Sequence, residues 1–94
     1  MPSRKKKLLE EYDERMKQSI AILSMISDDR TTPRNIRRVA KNALEMLDDD
    51  SMTRAVKAAN VISILDDISQ DPNMPPYTRT RIWNIVSLLE VIKE

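Results

Sequence analysis

Apolar residues recur along this chain at intervals of three and four, the spacing of one face of an α-helix. The pattern predicts a first helix from about Lys5 to Asp28. Leu9, Tyr12, Met16, Leu23 and Ile26 form its inner stripe, widened by Ile20 and Ile22. Thr32-Pro33 reads as a helix start, a hydroxyl N-cap followed by proline at the first helical position. From there a second helix runs from about Pro33 to Asp48, with Ile36, Val39, Ala40, Ala43 and Leu47 inward. Asp48-Asp49-Asp50-Ser51 breaks the pattern, and Asp50 or Ser51 is the expected cap of the next helix. The third helix runs from about Met52 to Gln70. Ala55, Ala58, Ala59, Val61, Ile62, Leu65 and Ile68 make its stripe, small in the first half, which lets a neighbour approach closely. Three prolines in Asp71-Pro72-Asn73-Met74-Pro75-Pro76 then fix φ and exclude continuous helix. The fourth helix starts between Pro75 and Tyr77 and runs to about Lys93, with Ile82, Ile85, Leu88, Leu89 and Ile92 inward.

Short linkers join antiparallel neighbours. The expected fold is therefore all-α, an up-and-down four-helix bundle. Residues 8–94 form its single domain, and residues 1–7 are a basic N-terminal extension. The chain has no glycine, which argues against tight primed hairpins between strands.

The chain also matches itself at an offset of 42 residues. Ile20, Ile22, Leu23, Ile26 and Ser27 fall on Ile62, Ile64, Leu65, Ile68 and Ser69. Asp29, Pro33, Arg37, Asn42 and Leu47 fall on Asp71, Pro75, Arg79, Asn84 and Leu89. Any two amphipathic helices share Ile and Leu, but the Asp, Pro, Arg and Asn matches point to a repeated helical hairpin. Pro33, Ile36-Arg37 and Ala40 also resemble the second helix of a HEAT-type repeat. Two HEAT-like hairpins are fewer than a solenoid needs, which favours a closed bundle.

Composition narrows the chemistry. Without cysteine there is no disulfide, thiol nucleophile or iron–sulfur ligand. Without histidine the usual neutral-pH base and commonest metal ligand are missing. Without glycine there is no Gly-rich phosphate loop. Sixteen Lys and Arg balance fifteen Asp and Glu, so the net charge of +1 commits the chain to neither nucleic acid nor membrane. No apolar run is long enough to span a bilayer. Leu8-Leu9 is followed at once by Glu10-Glu11, too short for a signal peptide, so the expected location is cytoplasmic. At 94 residues the chain is near the lower size limit for a self-sufficient core, which motivates self-association or a partner subunit.

Charges oppose the helix dipoles. Acids end the first three helices (Asp28-Asp29, Asp48 to Asp50, Asp66-Asp67 and Asp71). Arg34, Arg37 and Arg38 open the second helix, and Arg79 and Arg81 the fourth. One reading is hairpin pairing: Asp28 and Asp29 with Arg34, Arg37 or Arg38, and Asp66, Asp67 or Asp71 with Arg79 or Arg81. The other is recognition, with Arg34, Arg37 and Arg38 as a basic patch that holds phosphate or an acidic peptide. Arg4 to Lys7 would lie at the opposite end of the bundle, and stacking aromatics are nearly absent. Nucleic acid is thus not the favoured partner.

The run Asp71-Pro72-Asn73-Met74-Pro75-Pro76-Tyr77-Thr78-Arg79-Thr80-Arg81-Ile82-Trp83 resembles the signature of an archaeal family, uncharacterised protein family number one-four-seven. Every fixed position of Asp-Pro-Asn-Met-Pro, two variable residues, Thr-Arg-Thr, one variable residue and Ile-Trp is matched. Val61 to Asp66 and Pro33 to Arg38 are similar to it too. The resemblance covers roughly positions 16 to 93. It implies an archaeal source and a closed bundle of the bromodomain-like, mirror up-and-down kind. It implies no activity.

The same segment yields the candidate interaction corner, Asp71, Asn73, Pro75, Thr78, Arg79 and Trp83. Asn73 can accept a backbone N–H or cap the fourth helix. Thr78 and Thr80 can bond to carbonyls one turn back. Arg79 can clamp Asp71 or Asp67, and its guanidinium can lie over Trp83. No catalytic, cofactor or metal residues are assigned: adjacent acids such as Asp66-Asp67 point about 100° apart on a helix and do not converge. The Asp48 to Asp50 turn lacks the EF-hand spacing and its glycine. The expectation is a small non-enzymatic helical interaction or structural module, binding a protein or itself. The alternative is an RNA-associated accessory protein of the archaeal translation machinery.

Overall fold

The structure is a computed structural model and describes residues 3–93. Four helices follow in order: α1 (Arg4–Asp28), α2 (Arg34–Leu47), α3 (Arg54–Ile68) and α4 (Pro76–Leu89). They form a closed ring in which α1 meets α2 and α4, and α3 meets α2 and α4. The α3–α4 seam is the sparsest. Long-range bonds fix the directions. Arg54 at the start of α3 reaches Asp13 in the first half of α1 at 2.8 Å, so these two helices run parallel. Arg15 donates to the Leu88 carbonyl at the end of α4. The fold is the expected all-α up-and-down four-helix bundle.

The core holds Tyr12, Met16, Leu23 and Ile26 from α1, and Ile36, Ala40, Ala43 and Leu47 from α2. Ala58, Val61 and Leu65 come from α3, Ile82, Ile85 and Leu89 from α4, with Met74 and Ile92 outside the helices. The buried stripe is narrower than the sequence pattern. Ile20 and Ala59 are exposed and Ala55 and Leu88 half-buried, while Val39, Ile62 and Ile68 are half-buried but pack against the core. A four-helix ring of this size buries only a narrow stripe on each helix. Ser19 is fully buried despite its hydroxyl, which it turns onto the Arg15 carbonyl at 2.9 Å. Lys57, only 8 % exposed, also lies within the buried stripe. Its Nζ donates to the Leu47 carbonyl at the end of α2 (3.3 Å), while its stem covers apolar surface.

Arg4 to Lys7, expected as an extension, form the first turn of α1. Ser3 caps that turn, accepting the Lys6 N–H at 3.2 Å. Met1, Pro2 and Glu94 lie outside the described residues. Helix starts differ from expectation too. Pro33, not Thr32, is the N-cap of α2, with extended ψ of 146° and no side-chain cap bond. Thr32 is instead buried under the turn. α3 starts later than expected, and its cap is Thr53, whose hydroxyl accepts the Val56 N–H at 3.3 Å. α4 ends at Leu89, and Ile92 folds back into the core beyond it.

The three interhelical turns share one design. Each opens with an aspartate whose Oδ1 accepts the backbone N–H two residues on: Asp29 from Thr31 (2.9 Å), Asp49 from Ser51 (2.9 Å) and Asp71 from Asn73 (2.8 Å). The aspartate carbonyl then accepts from the third residue on, Thr32, Met52 or Met74. The N-cap of the next helix follows: Pro33, Thr53 or Pro75. Helices often end on a glycine in the left-handed region. These aspartate turns replace that device, and no described residue has positive φ. A chain without glycine therefore makes its three reversals without backbone strain.

The 42-residue offset is a structural repeat. Shifted by it, the bounds of α2 fall on those of α4. Met16, Ser19, Leu23, Ile36, Ala40, Ala43 and Leu47 fall on Ala58, Val61, Leu65, Thr78, Ile82, Ile85 and Leu89, and every member of the seven pairs is buried. The bundle is two similar hairpins facing one another.

Candidate functional site

The expected corner lies where α3 hands over to α4, at the end of the bundle that also carries the α1–α2 turn. Asp71 anchors it through both carboxylate oxygens. Oδ1 accepts the Asn73 N–H, and Oδ2 accepts Asn35 Nδ2 from the start of α2 at 2.6 Å. These bonds favour the ionised form, and the Asn73 N–H, then Asn35, hold the Asp71 carboxyl below the usual carboxylate range. Asn73 contributes only its backbone N–H here. Its expected capping role belongs to Pro75, whose carbonyl accepts the Thr78 N–H (3.0 Å) and the Arg79 N–H (3.1 Å).

Arg79 does not clamp a carboxylate. Its guanidinium donates to the carbonyls of Ser69 and Asp71, the latter at 3.4 Å. Ser69 is the C-cap of α3, and a cation one turn into α4 supplies a donor to its carbonyl and a second one to that of Asp71, which also accepts the Met74 N–H. Thr80 behaves as expected, donating to the Pro76 carbonyl at 3.2 Å. Thr78 does not: its side chain is fully buried, and its hydroxyl finds no protein partner.

Trp83 is 58 % exposed, the most exposed large apolar side chain among the described residues. It stands one turn after Arg79, the residue of α4 that reaches the turn after α3. The cation–π contact lies elsewhere, with Arg81 over Tyr77 at 5.6 Å to the ring centre. Arg79 gives its guanidinium to the Ser69 and Asp71 carbonyls.

The other turn at this end mirrors the first. Asp29 Oδ1 accepts the backbone N–H and the hydroxyl of Thr31. Oδ2 accepts the Tyr77 hydroxyl at 3.2 Å, with Arg81 at 3.8 Å. The Thr31 hydroxyl, its backbone N–H and Tyr77 hold the Asp29 carboxyl below the usual range. The expected partners of Asp28 and Asp29, namely Arg34, Arg37 and Arg38, form no ion pair among the described residues. Nor do Asp66, Asp67 or Asp71 pair with Arg79 or Arg81. The ring places α4 beside the end of α1, so Asp29 is met from the opposite hairpin.

Arg34 and Arg38 are exposed and Arg37 is half-buried. They border an open groove between α1 and α2, with Lys41 and Asp28. The three residues of the expected basic patch thus border one groove, which none of the corner residues lines. At the far end of the bundle the Asp48 to Asp50 carboxylates disperse. Asp49 accepts the Ser51 hydroxyl and N–H, and these lower its carboxyl pKa. Asp50 approaches Lys57 Nζ at 3.6 Å. Sequence reasoning missed Asp49 as a turn aspartate and Lys57 as a helix-end donor. The first carried a signal: Asp49-x-Ser51 has the same spacing as Asp29-x-Thr31 and Asp71-x-Asn73. Lys57 gave none, because a lysine among alanines reads as a solvent-facing residue.

Comparison with known proteins places the chain. A sequence model of the family described as "Uncharacterised protein family (UPF0147)" matches residues 3–92. A UPF0147 protein of Sulfurisphaera tokodaii is 51% identical over 86 residues, 92% of this chain and 97% of that one. One from Metallosphaera sedula is 50% identical over the same shares. The crystal structure of MMP1188, a protein of unknown function, superposes with a TM-score of 0.84 at 48% identity, covering 87% of this chain and 93% of that one. A Thermoplasma acidophilum UPF0147 structure gives 0.84 at 30% identity, covering 89% and 99%. A match over nearly the whole length, in sequence and in fold, means that the chain belongs to this UPF0147 family.

Proposed function

We propose that the protein is a non-enzymatic, cytoplasmic helical module that docks a partner protein against the α3–α4 corner, with Trp83 as the anchor. The observation that carries this reading is the exposure of Trp83, 58 %, beside a corner whose aspartate and arginine are internally bonded. Exposed tryptophan on a rigid frame is the residue type that most often dominates a protein interface. A pre-ordered corner loses little conformational freedom when a partner arrives. The closed ring buries its own core, so the exposed ring is better explained by a different protein than by a second copy. The non-enzymatic part is supported by how the acids are used. Asp29, Asp49 and Asp71 hold turns, and Asp50 lies beside Lys57. No helix among the described residues is long and apolar enough to cross a membrane.

The test is photo-crosslinking from position 83, with position 84 as control, in an archaeal lysate with and without nuclease. A discrete nuclease-resistant protein adduct from position 83 alone supports the reading. An adduct of twice the chain mass makes the face a self-association surface and overturns it. An adduct that vanishes with nuclease puts the RNA-associated alternative in its place. No adduct from position 83 also overturns it.

A further inference from the structure

Four cations line one face of α2. Arg34, Arg37, Arg38 and Lys41 occupy positions i, i+3, i+4 and i+7, which fall on a single stripe about two turns long. They border the α1–α2 groove, an open channel of about 710 Å³. Among the described residues that line it, Asp28 is the only carboxylate, so positive charge is in clear excess. Among the described residues no ion pair engages any of the four cations. Arg37 Nε is enclosed without a hydrogen-bond partner. Leu44 continues the line at i+10 and adds a half-buried apolar contact.

We infer that this groove receives an amphipathic acidic helix from a partner protein. The match is geometric. A helix laid along α2 brings carboxylates at the same i, i+3, i+4, i+7 period opposite the cations. The channel between two helices is the shape into which a third helix packs. Leu44 meets one apolar residue beyond the acids. Nucleic acid fits less well, because the groove contains no aromatic side chain on which a base could stack. The other basic cluster, Arg4 to Lys7, lies at the opposite end of α1, so no continuous phosphate track exists. The inference stands apart from the reading of Trp83, which does not line this groove.

The test uses two fluorescein-labelled alanine-rich helical peptides of identical composition. One carries Glu at i, i+3, i+4 and i+7 with Leu at i+10. In the other the same residues are dispersed around the helix. An oligouridylate of equal charge is the third probe. The expected result is that the patterned peptide binds at least tenfold tighter than the other two. Replacing Arg34→Glu and Arg38→Glu together removes at least tenfold of that affinity. Both side chains are exposed, and a melting curve checks the fold; Arg34→Gln with Arg38→Gln is the milder pair if the first unfolds. Equal binding of both peptides, no binding, or binding undiminished in the variant overturns the proposal. Tighter binding of the oligouridylate overturns it in favour of RNA.

Discussion

Asn35 donates its side-chain amide to Asp71 at 2.6 Å, and Tyr77 donates its hydroxyl to Asp29 at 3.2 Å. The two bonds are related by the 42-residue repeat, since Tyr77 is the counterpart of Asn35 and Asp71 that of Asp29. Each hairpin begins its second helix with a donor that reaches the turn aspartate of the other hairpin. The pair forms a reciprocal clasp at one end of the bundle. Asp71→Ala is expected to lower Tm more than Asp66→Ala, an exposed acid outside any turn. Asn35→Ala and Asp71→Ala should be non-additive in the double variant, because they remove the same bond. Thermal melts of the parent and the four variants decide this. Simple additivity would mean the bond does not contribute.

The three turn aspartates make stability depend on acid. Hydrogen bonds from Thr31, Ser51 and Asn73 respectively lead in lowering the folded pKa of Asp29, Asp49 and Asp71. An unfolded aspartate titrates near ~3.9. Between the two values the unfolded chain binds more protons, so stability rises with pH. The contribution is complete above the unfolded value and is lost as pH falls through the lowered folded values. Urea midpoints measured from pH 6 down to pH 2 should fall below about pH 4. A triple variant, Asp29→Asn, Asp49→Asn and Asp71→Asn, should show a shallower fall. An unchanged slope in the variant would place the acid sensitivity elsewhere.

Much of this was readable from the chain. The helix period, the proline breaks and the 42-residue offset fix four helices, their order and most of the core. The errors have a common physical source. A helical stripe says which face turns inward but not how wide the contact is, so Ile20 and Ala59 were placed too deep. The α3–α4 turn falls where the prolines put it, but the bonds within it differ from those the spacing suggests. Arg79 reaches the carbonyls of Ser69 and Asp71, just past the end of α3, an outcome that depends on where two helices meet. Sequence spacing also pairs residues within a hairpin, whereas Asp29 and Asp71 are bonded from the opposite hairpin.

Thr78 is a stabilisation target. Its hydroxyl is buried without a protein partner, and an unpaired buried polar atom costs about 1–3 kcal/mol. Thr78→Val keeps the shape and removes the hydroxyl, so a gain of about 1 kcal/mol is expected. Thr80→Val, on the exposed side, should stay within about 0.5 kcal/mol. Urea unfolding of both variants checks the contrast. A loss at position 78 would show that the hydroxyl is satisfied in solution.

Lys57 predicts the opposite sign. It is the donor for the terminal carbonyl of α2, and its stem fills space beside the core. Lys57→Ala leaves the Leu47 carbonyl unbonded and opens a void, for an expected loss of about 2 kcal/mol. Lys57→Arg, which keeps a donor, should recover part of it. If Lys57→Ala melts with the parent protein, the buried lysine is not holding the α2 end.

Ile82 and Trp83 are neighbours in sequence with opposite environments. Ile82 is 1 % exposed within the core, whereas Trp83 is 58 % exposed. Ile82→Ala removes buried methylenes from a closed ring and should cost about 2–5 kcal/mol. Trp83→Ala removes a side chain that is more than half exposed, so a smaller loss, of about 1–2 kcal/mol at most, is expected. Trp83 is the sole tryptophan, and its fluorescence should be red-shifted and readily quenched by iodide in the folded protein. A large stability loss at position 83, or emission shielded from iodide, would make Trp83 a packing residue. Stability retained together with quenching leaves a tryptophan that the fold does not use, as expected of a docking anchor.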